Sequence, residues 1–533
     1  MLRPRRTALP QHPPSPGSLP LATLSRQAGE GLPDNAKDSE AAMNDVVISL
    51  GARLGELAAA RPEAIAVSCG DDQRSWGELD RRTNRLARAL AARGVEAGSF
   101  VTIALPNSVG FIEACFACWK LGATPQPVSA RLPKAELDGV VALADPPLVI
   151  AGPEIAVERP RADIAELLAA STDDAPLPDR IAPAWKAPTS GGSTGRPKLI
   201  VSGSPGVVAP IQMGLWRLGP DDVALMPGPL YHNGPFSSAI LALTAGAELV
   251  LLPKFDAEAV LAAVARHRAT WLYLVPTMMS RIWRLAPEIR ARHDVASLKT
   301  VWHLAAPCPP WLKQEWIDWL GGDTIWELYA GTEAQAVTVI TGTEWLERRG
   351  SVGRVAAGQM KILDDDGNDL PAGTTGEIYM RPSEGMPATY RYIGAEARRL
   401  GDWESLGDIG WFDAEGYLYL ADRRTDMILV GGSNVYPAEI EAALDEHPLV
   451  QSSAVIGLPD EDLGNRIHAL VQPREGLDLE ALHAHLAERL VAYKRPRSIE
   501  LVGEPLRDDA GKVRRSQLRT ERLAASPIRP SGD

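Results

Sequence analysis

The sequence predicts an α/β fold: a large N-terminal domain of parallel α/β layers with a β-rich subdomain, followed by a small mobile C-terminal α/β domain. Three observations carry this. At 533 residues the chain exceeds what one hydrophobic core serves, so at least two domains are expected. Short apolar strands alternate with amphipathic helices up to about residue 330, the pattern of a largely parallel sheet. Beyond about Lys361 strands separated by Asp-Gly and Glu-Gly turns take over, and past Arg423 a compact α/β segment of about 110 residues follows, the size of a small domain.

Each element has its own signal. Leu50, Leu54, Leu57 and Ala58 recur at helical spacing, and Trp76 to Arg93 reads as a long amphipathic helix. Val101 to Leu105, closed by Pro106, is a short buried strand ahead of a helix over 109–121. The cycle returns with strands at 223–226, 248–252, 272–275 and 299–304. In the β-rich part, Met360–Leu363, Gly376–Arg381 and Tyr417–Ala421 are strands, with turns at Asp366-Gly367 and Glu415-Gly416. In the last segment Pro437–Leu444 is a helix, and Gln451–Ile456 and His468–Gln472 are strands. The expected divisions are 1–42, 43–424 and 425–533, with the boundary near Arg424-Thr425-Asp426.

Composition narrows the function. A 45% hydrophobic and 23% charged chain is an ordinary globular protein, and a formal net charge of −13 argues against a nucleic-acid surface. An anionic ligand must then be held by local positive groups. Four cysteines make no disulfide framework, which points to a reducing cytoplasm. Cys115 and Cys118 form a Cys-x-x-Cys, but the surrounding run Phe111–Trp119 reads as a buried helix face, with no second pair to complete a zinc site. No run of eighteen apolar residues is long enough to span a bilayer. The first forty or so residues, with Arg3, Arg5 and Arg6 ahead of Pro10, Pro13, Pro14 and Pro16, show no hydrophobic period and are expected to be disordered. Met43 is an alternative start.

Residues 189–198, Thr-Ser-Gly-Gly-Ser-Thr-Gly-Arg-Pro-Lys, concentrate the chemistry. Gly191, Gly192 and Gly195 let backbone N–H groups approach a ligand, Ser190, Ser193 and Thr194 add hydroxyl donors, and Lys198 adds charge. That combination suits a polyphosphate, although the Walker pattern is absent and a solvated turn is the alternative. Three further segments follow in order: Tyr329-Ala330-Gly331-Thr332-Glu333, Gly407-Asp408-Ile409-Gly410-Trp411 with Asp422-Arg423, and Gly511-Lys512-Val513. Together the four resemble the signature motifs of the adenylate-forming superfamily, which includes acyl-CoA synthetases, luciferases and peptide-synthetase adenylation domains. The resemblance spans about residue 45 to about 520.

The resemblance implies an ATP-dependent acid–thiol ligase. The carboxylic acid and ATP, with Mg²⁺, give an acyl-adenylate and pyrophosphate, and coenzyme A then displaces AMP. Residues 190–195 and Lys198 would hold the leaving phosphates, with Thr194 counted among the catalytic groups. Glu333 would ligate Mg²⁺, since a hard cation prefers a carboxylate and phosphate oxygens. Tyr329 would stack on adenine, or simply pack in the core. Thr332 would bond phosphate or adenylate. Asp408 would accept the ribose hydroxyls, and Arg423 would donate to the ribose. Leu304-Ala305-Ala306-Pro307 would border adenine through its backbone, Ala305, Ala306 and Pro307 included. Lys512, otherwise a turn lysine, would bridge carboxylate and α-phosphate. His232 matches the gate of the acyl pocket, with a loop histidine as its alternative. Gly331 would leave room for a broad acid. Gly431 and Gly432 would line the pantetheine tunnel after rotation about 424–426, or form a plain hairpin turn.

Three positions depart from the pattern: Gly191 for a second hydroxyl, Ala330 for glycine, and Thr425 for the hinge aspartate or lysine. Trp119–Leu132 looks like acyl-CoA ligases of bile-acid and steroid-acid types, which suggests a bulky or polycyclic acid. The expected partners are a small carboxylic acid and coenzyme A, with no nucleic acid and a homodimer left open. Two other readings stand: an adenylating enzyme that loads a carrier protein, and a non-catalytic nucleotide-binding homologue.

Overall fold

The computed structural model describes residues 47–191, 197–423, 426–430, 433–460, 463–508 and 511–525. The expectations for residues 1–46, and those for Gly192, Ser193, Thr194, Gly195, Thr425, Gly431 and Gly432, lie outside the described residues.

Six parallel strands form the heart of the molecule, in the order Ile325–Tyr329, Thr300–His303, Trp271–Leu274, Val223–Met226, Glu248–Leu251 and Ile65–Cys69. Four of the six are the strands expected at 223–226, 248–252, 272–275 and 299–304, each shifted by at most one residue at an end. They are apolar almost throughout because helices cover both faces, as parallel sheets require. Asp72–Ser75 closes one edge antiparallel. At the other edge Val337–Thr341 and Ser351–Ala357 turn the sheet antiparallel and lead into Leu418–Arg423, Trp403–Phe412, Gly376–Arg381 and Gln359–Leu363. The β-rich region is therefore a continuation of the main sheet, a connection the strand pattern alone does not reveal.

A second, all-parallel sheet comprises Thr124–Pro127, Phe100–Ala104, Val149–Ala151 and Arg161–Ala162. The helix Trp76–Ala92 packs against the edge strands Ile65–Cys69 and Asp72–Ser75, and the helix Val109–Lys120 packs both against it and against this second sheet. The first starts on a capping box in which Ser75 and Glu78 satisfy each other's backbone N–H groups. The second is buried along its whole length, Cys115 and Cys118 included, and burial pushes both thiols up. That supports the reading of these cysteines as packing groups. Glu113 on the same helix is fully buried and held by Arg74 and Arg82. Residues 119–128 are core throughout, and the remainder of Trp119–Leu132 is half-buried or exposed.

A third sheet is small and carries the glycine-rich run. Thr189–Gly191 and Pro197–Ser202 form a hairpin, with Ser190 opposite Lys198, and Tyr390–Ile393 adds to the outer edge of Pro197–Ser202. The segment from 426 has its own core of Ile428, Val435, Ile440, Leu444, Val455, Val471 and Leu482. Its frame is the hairpin Val450–Asp460 with Gly464–Pro473, joined in parallel by Ser498–Leu501.

Candidate active site

In a parallel sheet all carboxyl ends lie along one edge, and ligands bind in the crevice outside it. Six connections leave that edge here, and four of them bear on the site. Residues 227–232 follow Val223–Met226, Val275 and Pro276 follow Trp271–Leu274, Leu304–Pro307 follow Thr300–His303, and Ala330–Glu333 follow Ile325–Tyr329. Three of them hold residues that the sequence marks as candidates. The topology thus gathers segments separated by about a hundred residues.

Glu333 is 5% exposed, too deep for a carboxylate without a task or partners. Its Oε1 accepts a hydrogen bond from the Tyr392 hydroxyl at 2.5 Å and lies 3.6 Å from the Lys198 ammonium. The same ammonium sits 3.8 Å from the centroid of the Tyr392 ring. Thr389 Oγ1 donates to the Glu333 carbonyl at 2.7 Å. The phosphate-loop lysine and the candidate metal ligand, far apart in sequence, are therefore neighbours. Glu333 Oε2 accepts no hydrogen bond from the described residues and remains available to a hard cation. Those residues contain no cluster of three His, Cys, Asp or Glu side chains able to hold a metal alone. A Mg²⁺ that takes one carboxylate oxygen and completes its shell with phosphate and water fits this donor set.

Tyr329 ends its strand half-buried, and its hydroxyl donates to Asp408 Oδ2 at 2.7 Å. The tyrosine and Asp408 thus form one unit, while the tyrosine also packs against the buried cluster of Ala336, Val352, Ile362 and Leu418. Gly407, at φ +84°, kinks the Trp403–Phe412 strand just before Asp408, a bulge-like turn that re-aims the next side chain. Asp408 pairs in register with Arg423 on the adjacent strand, so the backbone places the arginine beside it. Ala305 adopts φ +76°, an uncommon conformation for a residue with a Cβ, in the loop expected to border adenine. Ala330 is not in that region, so alanine in place of the usual glycine fits there without strain.

Gly331 needs a different account from the one its size suggests. A Cβ there would lie 2.2 Å from Leu406 Cδ1 and 2.9 Å from Glu333 Oε2. Its missing side chain makes room for Leu406 and for the carboxylate.

His232 precedes the helix Asn233–Ala245, and its ring lies 4.4 Å from that of Tyr231. The loop carrying it is pinned by Asn107, whose amide donates to Gly228 and Leu252 carbonyls and accepts from Leu230 N–H. Beside it sits Lys186, missed by the motif reading. Its ammonium bonds Asn233 and Ser237 on the same helix, and burial lowers its pKa to about 7. Nothing in the periodicity flags a lysine that the fold buries.

Lys512 projects from a tight hairpin. The Asp508 N–H donates to the Lys512 carbonyl, the Gly511 N–H to the Asp508 carbonyl and the Lys512 N–H to Asp508 Oδ1, each at 2.9 Å. Gly511, at φ +79°, approaches Thr277 so closely that a Cβ would lie 2.8 Å from Thr277 Oγ1. The C-terminal loop thus meets the helix Pro276–Trp283, directly after one of the central strands. Glu441, 4% exposed, fixes this hairpin from below: it accepts from Arg507, Arg515 and the Val455 N–H, while Arg507 also reaches the Gly511 carbonyl.

The sequence model of the AMP-binding enzyme family matches residues 54–390, and that of the AMP-binding enzyme C-terminal domain matches residues 439–512. The chain is 33% identical to feruloyl-CoA synthase of an Amycolatopsis species, over 86% of this chain and 96% of the relative. It is 32% identical to indoleacetate–CoA ligase of Aromatoleum aromaticum, over 86% and 95%. Among solved structures, o-succinylbenzoate CoA synthetase from Bacillus subtilis, in complex with its acyl-adenylate intermediate, superposes with a TM-score of 0.77 at 25% identity, covering 89% of this chain and 98% of that one.

Proposed function

Because the chain belongs to the AMP-binding enzyme family, we infer that it is an AMP-forming acid–CoA ligase. The observation that carries this reading is the convergence of Lys198 and Glu333 within 3.6 Å, at the edge where Tyr329 meets Asp408. One pair suits the polyphosphate end of ATP and the other its nucleoside end.

The chemistry follows from charge. A carboxylate must attack an α-phosphorus that carries like charge, so cations and a fixed line of attack are needed. Lys198 and the 190–195 run hold the departing pyrophosphate. Glu333 would hold Mg²⁺, which supplies charge neutralisation between the phosphates when bound. Asp408 and Arg423 fix the ribose, Tyr329 and the Ala305–Pro307 loop flank the adenine, and Thr332 borders the phosphate. Lys512 bridges the attacking carboxylate and the α-phosphate, where a preorganised cation lowers the barrier most. The hairpin's approach to Thr277 supports that placement. In the second step the segment beyond 425 turns about residues 424–426, withdraws Lys512 and brings Gly431 and Gly432 to the thiol channel. Coenzyme A then displaces AMP. The acid is a ring-bearing carboxylate that enters past His232, a choice supported by the relatives named for feruloyl and indoleacetate substrates.

Pyrophosphate release from MgATP, measured across short-chain, long-chain, aromatic and steroid acids with and without coenzyme A, tests the reading. Release with one acid class, and thioester only when coenzyme A is present, is the expected result. Adenylate without thioester assigns the acceptor to a carrier protein instead. Lys512→Ala should lower adenylate formation by at least a hundredfold while ATP still binds. An undiminished rate removes Lys512 from the chemistry.

A further inference from the structure

We propose that Lys186 is a specificity-determining residue for the acid, its ammonium taking a hydrogen-bond-accepting oxygen that the acid carries on its ring, apart from the carboxylate that reacts. This rests on the reading of the chain as an acid–CoA ligase whose acid enters past His232. The Lys186 ammonium bonds Asn233 and Ser237, one turn apart on the helix that starts directly after His232, and lies 4.2 Å from the centroid of the Trp185 ring. An ammonium has three donors; Asn233 and Ser237 take two, and the third is left for a ligand. Lys186 is 8% exposed, whereas Asn233, Ser237 and Trp185 are all half-buried. The charge therefore sits one side chain beneath a surface beside the gate.

Stability alone does not account for a lysine at this place. A buried cation is costly unless an anion pairs with it. Lys120 and Lys313, equally deep in the protein, obey that rule, with Asp80 at 2.6 Å and Glu327 at 2.5 Å. Lys186 does not: no carboxylate of the described residues acts on it, and burial is what lowers its pKa. Its position adds to the cost. The start of the helix Asn233–Ala245 has no side-chain cap, and the positive end of a helix dipole repels a cation. Two neutral acceptors and a π-face compensate only in part. An apolar side chain would be cheaper here, so the charge is explained by something that comes and goes. An acceptor oxygen on the acid supplies the missing partner, in a place where water competes weakly for the ammonium. The Trp185 ring, backed by Phe236 at 5.9 Å, puts an apolar face next to the charge, which suits a ring that bears an oxygen.

Steady-state kinetics of the full-length protein with MgATP and coenzyme A test this. The probes are phenylpropanoic acid against its para-hydroxy and para-carboxy derivatives, and a steroid acid with and without a ring ketone. The parent should favour the oxygen-bearing member of at least one series roughly tenfold in kcat/KM, as a hydrogen bond to a charged group does. Lys186→Met should bring that ratio to within about twofold of one, with the change in KM. Lys186→Gln, which keeps a donor without the charge, should retain part of the preference. The thermal midpoint of Lys186→Met should be unchanged or higher, because an unpaired buried charge has been removed. A parent without preference in any series, or a Lys186→Met variant with the parent's ratio, overturns the proposal. A lower midpoint with equal losses on both members of a pair makes Lys186 a structural residue and overturns it too. In each of these cases the acids still turn over and the ligase reading stands. No pyrophosphate from any of these acids with the parent overturns that reading, and the proposal with it.

Discussion

His303 shows what a single buried residue does to the stability of this protein. It ends the strand Thr300–His303, directly before the loop expected to border adenine, and is 0% exposed. Neither ring nitrogen has a hydrogen-bond partner among the described residues. Glu327, the nearest carboxylate, is 3.9 Å away and already bonded to Lys313. Burial therefore dominates and lowers the pKa of His303 from 6.5 to about 4. Between those values the unfolded chain binds the proton and the folded chain does not, so stability rises with pH from about 4 to 6.5 and is lost as the pH falls. The difference is on the order of 3 kcal/mol. Denaturant midpoints at pH 5 and pH 7 should converge in His303→Leu. An unaltered pH dependence would place the acid-sensitive group elsewhere.

Elements matter here mainly through what anchors them. The hairpin carrying Lys512 is short and would wander without Glu441, which draws Arg507 and Arg515 together at 2.9 and 2.7 Å. Arg515 also reaches Asp426 at 2.8 Å, tying the helix Arg515–Ala525 to the start of this segment. Removing one member of a buried charge network leaves its partners uncompensated, which costs about 3 kcal/mol. Glu441→Gln should show that loss in chemical denaturation. Adenylate formation should fall further than thioester formation from preformed adenylate. A variant as stable as the parent would mean that the arginines find other acceptors. The same lesson applies to Tyr390–Ile393. Its two tyrosines at i and i+2 are the signal of one strand face, but only the pairing with Pro197–Ser202 shows which face and against what.

For the whole molecule the question is what sets the balance between the two half-reactions. Arg284, at the end of the helix Pro276–Trp283, donates to the backbone carbonyls of Gln451 and Asp445 at 2.9 and 2.8 Å. These bonds join the body of the parallel sheet to the segment that carries Lys512. Arg284→Ala should slow acid-dependent ATP–pyrophosphate exchange roughly tenfold, equivalent to about 1.4 kcal/mol for partly exposed charged hydrogen bonds. Thioester formation from supplied acyl-adenylate should be unchanged or faster. Equal losses in both half-reactions would show that Arg284 only stabilises the fold.

Much of this was legible in the chain. Apolar runs such as Trp271–Leu274 cannot be anything but buried, so period and breakers located four of the six central strands to within a residue or so, and left out Ile65–Cys69 and Ile325–Tyr329. Local chemistry marked the run that ends at Lys198, because glycines, hydroxyls and a charge packed together suit a polyphosphate; Glu333, Asp408 and Lys512 were marked by the family resemblance, Lys512 being by itself an ordinary turn lysine. The sequence also determined the family, since four motifs in order constrain one another. What it left open depends on contacts between distant segments. That Tyr392 lies on Glu333, that Gly331 makes room for Leu406, and that Lys186 and His303 are buried are consequences of packing, and no local period encodes them. Only tertiary structure decided these points, because burial, pKa and the separation of two charges belong to an environment assembled from several parts of the chain.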